Sequence, residues 1–167
     1  FASANAGVHL YTVVDGFDGP WRGRRVLDLP FVHRIATVRV GAGGFLVGAT
    51  VCASKDSRDD WSKPGTVYVV RIPENLDGEW LAQPVMEGIH KNHGMNIGTY
   101  QGRPTIFISG TEGVFALFIP DRPDAPWKHE QIIGHEVSEV FPFDLDGDGV
   151  EELAVIEPFH GDTLAVY

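Results

Sequence analysis

The chain has one cysteine, Cys52, so no internal disulfide can form and cysteine usage points to no redox compartment. Positive charge is scarce. Lys and Arg number 13 against 23 Asp and Glu, for a formal net charge of −10. A nucleic-acid partner needs basic surface to meet phosphates, so this balance argues against one. No apolar run approaches the roughly 20 residues of a membrane-spanning helix, so no membrane partner is expected. No ten-residue stretch carries the apolar spacing of an amphipathic helix. A secretory leader is missing, and the first residue is Phe1 rather than methionine, so a cut chain or a piece of a longer protein is expected.

The residues that are present fit many short strands. Hydrophobic residues make up 43% of the chain, enough to build a core, and 20 glycines and 11 prolines supply turns. The same pattern restarts three times. Segments 33–40, 93–100 and 135–144 each open on a histidine, namely His33, His93 and His135. Each follows a polar strand led by Trp21, Trp80 or Trp127. Each precedes a tight loop and an apolar strand, at 45–49, 105–109 and 152–156. A third strand then starts at a glycine: Gly65, Gly113 or Gly161, with Gly7 fitting the same frame. Those glycines are 58, 48 and 48 residues apart, the longer interval reflecting an insertion at 53–64. Four short strands per unit at this period predict β-propeller blades.

The expected fold is therefore all-β, with antiparallel four-strand blades in segments 1–30, 31–88, 92–132 and 135–167. That is about three and a quarter blades, whereas propellers close with four to eight. The remaining blades are expected from the same protein, making a six- to eight-bladed ring, in preference to a second copy.

A loop at 143–153 places carboxylates at Asp144, Asp146 and Asp148, followed by Glu152. Alternating acids with interleaved glycine let a tight turn aim three carboxylates at one hard cation. The loop is like the first half of an EF-hand, but Val155 stands where that loop's last glutamate belongs. It resembles the calcium loop of FG-GAP and VCBS propeller repeats. The equivalent loops at 40–44 and 100–104 lack such ligands, so one structural calcium is expected on one blade.

Alternating strand directions place that loop at one end of the blades and the histidines at the other. His33, His93 and His135 are expected around the channel mouth. Anchored on the second strands, His33 and His93 share a repeat position that Val137 occupies in the last unit, with His135 two residues earlier. Lys91, Asn92, Glu112, Arg58 and His160 lie in connections on the same end and are candidate substrate contacts.

The histidines, the aspartate loop and the run 157–161 together resemble a carbohydrate-active propeller group. The resemblance is to the propeller part of aldos-2-ulose dehydratase and, more distantly, to propeller polysaccharide lyases and a rhamnosidase family. It implies elimination on a sugar bearing a carbonyl or carboxylate, with histidine as acid or base. His93 is the first choice for base, with His33 and His135 behind it. The three could instead hold a zinc ion with an open position. The main rival is a non-catalytic glycan- or protein-binding propeller; a hydrolase on the same channel is a third reading.

Overall fold

The computed structural model describes residues 2–167. Among these there are thirteen strands, one short 3-10 turn at Ala2–Asn5, and no helix long and apolar enough to cross a membrane. The strands form four sheets in chain order, and every neighbouring pair runs antiparallel. The first sheet has β1 (Gly7–Val13) and β2 (Trp21–Asp28). The second has β3 (Val32–Val40), β4 (Gly43–Thr50), β5 (Gly65–Arg71) and β6 (Ala82–Ile89). The third has β7 (Met95–Tyr100), β8 (Arg103–Gly110), β9 (Gly113–Phe118) and β10 (Lys128–Ile133). The fourth has β11 (Glu139–Phe143), β12 (Glu152–Glu157) and β13 (Thr163–Val166).

Strand alternation explains how the sheets pack. Side chains along a strand point to opposite faces, so a strand apolar at every position needs cover on both sides. The second strands of the two middle sheets are buried at successive positions, 45–50 in β4 and 105–110 in β8, and have that cover. In β4, Leu46 packs toward the first sheet, with Val8, Leu27 and Trp80, while Val47 and Ala49 pack toward the third. In β8, Ile106 and Ile108 meet the second sheet, while Phe107 meets Val140, Leu153 and Val155 of the fourth. One apolar layer thus lies between each pair of successive sheets. The outward face of the fourth sheet is bare: Phe141, Ile156, Leu164 and Val166 are all exposed.

Two of the tryptophans, Trp80 and Trp127, pack against the apolar layers. Trp80 is buried in the layer between the first two sheets, and Trp127 meets Phe45 edge-on at 5.9 Å. First strands neighbour one another, β3 beside β7 and β7 beside β11. Their starting ends therefore come together, which is what assembles a site from three sheets.

Candidate functional site

Three imidazoles meet at that end, each from a different sheet. His33 lies on β3, His93 just before β7, and His160 in the loop between β12 and β13. The ring centroids of His33 and His93 are 4.9 Å apart, and those of His93 and His160 are 4.8 Å apart. The Nε2 atoms of His93 and His160 are 3.2 Å apart. On its other nitrogen, His93 Nδ1 lies 2.6 Å from Glu139 Oε1. Arg34 donates to Glu139 and to the backbone carbonyl of His93. Arg34, His93 and Glu139 come from the second, third and fourth sheets, so one polar line spans all three.

The backbone around His93 is held by a buried polar network. Asn92 Nδ2 donates to the Ser109 carbonyl at 2.9 Å and to the Gly94 carbonyl at 3.3 Å. Ser109 Oγ donates to the Ser138 carbonyl at 2.8 Å, linking the third and fourth sheets. Gly94 is required there, because an added Cβ would come within 2.8 Å of the Val140 nitrogen. Asn92 is fully buried, with Oδ1 unpartnered. Through Nδ2 it braces the loop that carries His93.

Aromatic rings border the cluster. Phe159 stacks on His160 at 4.2 Å and 12°, and meets His93 edge-on at 5.6 Å. Trp61, from the long β4–β5 loop, approaches Phe159 at 6.0 Å. Lys55 Nζ lies 2.9 Å from the Trp61 ring centroid, and Lys91 Nζ lies 5.2 Å from that of Phe159. Lys91 also pairs with Glu136 at 3.0 Å. His33 is exposed as a residue, yet neighbouring atoms withdraw water from its ring. That desolvation, with His93 and Arg34 nearby, holds its pKa below the ordinary 6.5.

His135 stands apart from this cluster. Its Nε2 is 2.5 Å from Glu157 Oε2 and 3.1 Å from the Tyr167 hydroxyl. Sheet register gives the reason. The pair Ile97–Ile106 in the third sheet corresponds to Pro142–Leu153 in the fourth, because Ile106 and Leu153 both face the preceding sheet. Counting back four residues aligns His93 with Ser138, and three more align His90 with His135. His90 likewise pairs with a glutamate of its own sheet, Glu112, at 2.6 Å. The offset between His135 and the His93 position is thus three residues, and His135 takes the place of His90 instead.

Of the other candidates, Glu112 is committed to His90, and the Arg58 carbonyl accepts from Lys55 at 2.9 Å in an exposed loop. Arg34, Glu139, Trp61 and Phe159 escaped sequence reading. The one signal was the run 157–161, which held both Phe159 and His160.

At the other end, Asp144 accepts from the Gly147 and Gly149 amides at 2.7 and 2.9 Å, and Glu152 accepts from the Leu145 amide at 2.8 Å. Gly147 and Gly149 adopt φ of +80° and +88°, which closes the turn. Asp144, Asp146 and Asp148 bring carboxylate oxygens within 4.8 Å of one another, the one such three-residue set among the described residues. The histidines bring two nitrogens close, not three. Clefts of about 780 and 800 Å³ also lie at this end, sharing Arg71, Pro73 and Pro123.

The chain matches no protein family, no curated protein and no solved structure.

Proposed function

We propose that the chain is part of a β-propeller whose sheets are successive blades, and that its histidine end is the site of a sugar lyase or dehydratase. The observation that carries this reading is the meeting of His33, His93 and His160 from three sheets, beside Phe159 and Trp61. Elimination needs a base for the proton next to a carbonyl or carboxylate, and an acid for the departing oxygen. Imidazoles serve both roles near neutral pH. His33, held below its ordinary pKa, stays neutral there. Aromatic faces suit the C–H surface of a pyranose, and Lys91, 5.2 Å from the Phe159 ring centroid and paired with Glu136, would supply positive charge for a developing oxyanion. The donor set favours acid–base use of these histidines over a three-histidine zinc.

The aspartate loop fits a hard cation: three carboxylates converge on one side of a glycine turn. Asp144, Asp146 and Asp148 would hold calcium and tie the β11–β12 hairpin together. Because the histidines lie at the opposite end of the sheets, that role is structural.

A second reading, a non-catalytic glycan- or protein-binding propeller, draws on the two clefts at the aspartate-loop end. The test is an ultraviolet assay for unsaturated product on a panel of keto-sugars and uronate oligosaccharides. Conversion that is lost in His93→Ala supports the lyase reading. Saccharide binding without conversion supports the rival.

A further inference from the structure

We propose that His160, rather than His93, is the base that faces the substrate, and that Arg34, Glu139 and His93 stand behind it as positioning groups. The proposal deepens the lyase or dehydratase reading and rests on it for the reaction.

The proton positions follow from the distances. His93 Nδ1 and Glu139 Oε1 are 2.6 Å apart, and two bare acceptors would repel at that separation. Nδ1 therefore carries the proton and donates it to the carboxylate. Arg34 Nη2, 3.5 Å from the same nitrogen, is then a neighbour and not a donor to it. Arg34 instead donates to Glu139 and to the His93 carbonyl, fixing both ends of the pair. With Nδ1 protonated, neutral His93 keeps its lone pair on Nε2. That lone pair faces His160 Nε2 at 3.2 Å. The contact needs one proton, which His160 supplies. Neutral His160 accordingly carries its own lone pair on Nδ1.

Exposure points the same way. His93 is partly buried, with His33, Phe159 and His160 around its ring. His160 is exposed, and Phe159 lies flat against it. The His160 backbone has φ +52°, an unfavourable conformation for a residue with a side chain. Such residues concentrate at functional sites, where surrounding structure enforces them.

His160 Nδ1 takes the proton next to the substrate carbonyl. The Nε2 proton of His160 passes to His93 Nε2, leaving an imidazolium beside the Glu139 carboxylate. As the β carbon–oxygen bond breaks, His160 Nδ1 gives its proton to the departing oxygen and recovers one from His93. A carbon–carbon double bond and an alcohol or water result, and the enzyme returns to its starting tautomers. One nitrogen acts as base and then acid, so hydrogen and leaving group depart from the same face of the sugar.

The test is nitrogen-15 NMR of the histidine rings in the full chain at about pH 8, above the imidazole range. The expected spectrum has His93 protonated on Nδ1 and His160 on Nε2. The opposite tautomer at either ring overturns the relay. In Glu139→Gln, His93 should lose its single tautomer; an unchanged ring removes Glu139 from the line. On a converted sugar, His160→Ala and His93→Ala should each lower kcat by about 10²–10⁴-fold, with the double variant little worse. Wild-type turnover in His160→Ala overturns the proposal. If the wild type converts no sugar, the reaction reading fails, while the spectrum still decides the proton arrangement.

Discussion

The two ends of the sheets are built on different principles. At the histidine end, the nearest partners are far apart in sequence: Arg34, His93, Glu139 and His160 come from three sheets. At the aspartate end, Asp144, Asp146, Asp148 and Glu152 bond within one hairpin loop, and only Glu151 reaches out of it, accepting from the Thr99 amide. The first site exists only when sheets pack in register. The second needs little beyond its own turn. A distributed site should therefore fail with the packing between sheets, and a local one should outlast it.

The largest effect should follow from Phe107→Ala. Phe107 is fully buried between the third and fourth sheets, and truncation there should cost about 3–5 kcal/mol, measured by denaturant unfolding. Separation of His93 from Glu139, read by NMR, should accompany it, while any calcium affinity of the loop persists. Equal loss at both ends would break the contrast.

Asp144→Ala removes the acceptor for two loop amides and should cost about 1 kcal/mol. It should also abolish any rise in melting temperature on adding calcium, with the histidine spectrum unchanged. A calcium response that survives the substitution would remove the ion from this loop.

Acid should act first at the histidine end. His33 is depressed below 6.5 by desolvation, by His93 and by Arg34, with Glu139 opposing and His160 adding to the depression. Well above 6.5 both folded and unfolded imidazoles are neutral and this site costs no stability. As pH falls below 6.5, the unfolded chain takes the proton more readily and stability declines, until the folded ring also protonates. Melting curves across that window should show a smaller decline in His33→Gln than in the wild type; an identical decline would remove His33 as the cause.

The smallest effect belongs to the exposed 53–64 loop. The Lys63–Asp56 pair is 3.8 Å apart and largely solvated, so Lys63→Ala should change unfolding free energy by less than about 0.5 kcal/mol. A larger loss would mean that the loop braces the histidine end.

The contrast also explains what was legible in the sequence. Apolar alternation and glycine starts located the strands closely: 45–49 lies within β4, 105–109 within β8, and β9 begins at Gly113 as expected. The aspartate loop was readable because its partners are sequence neighbours. His33 and His93 were readable because they recur at one point of the repeat. The third imidazole, His160, was read only as a substrate contact at that end; its meeting with His93 was not readable, because loop length decides it. The β8–β9 connection has two residues, Thr111 and Glu112, whereas that between β12 and β13 runs over 158–162. The longer loop folds back and delivers Phe159 and His160, displacing His135 from the role its spacing suggested. Glu139 and Arg34 were hidden for a related reason. Their pairing crosses sheets, and a salt bridge between residues 105 apart in sequence leaves no mark in local periodicity.

We propose that side chains gathered from three sheets perform elimination on a sugar. Turnover of His93→Ala, recorded beside its melting curve on a substrate the wild type converts, tests it most directly. Unsaturated product formation should fall by at least about 10²-fold while the melting curve still shows a folded chain. Wild-type turnover in that variant would contradict the proposal.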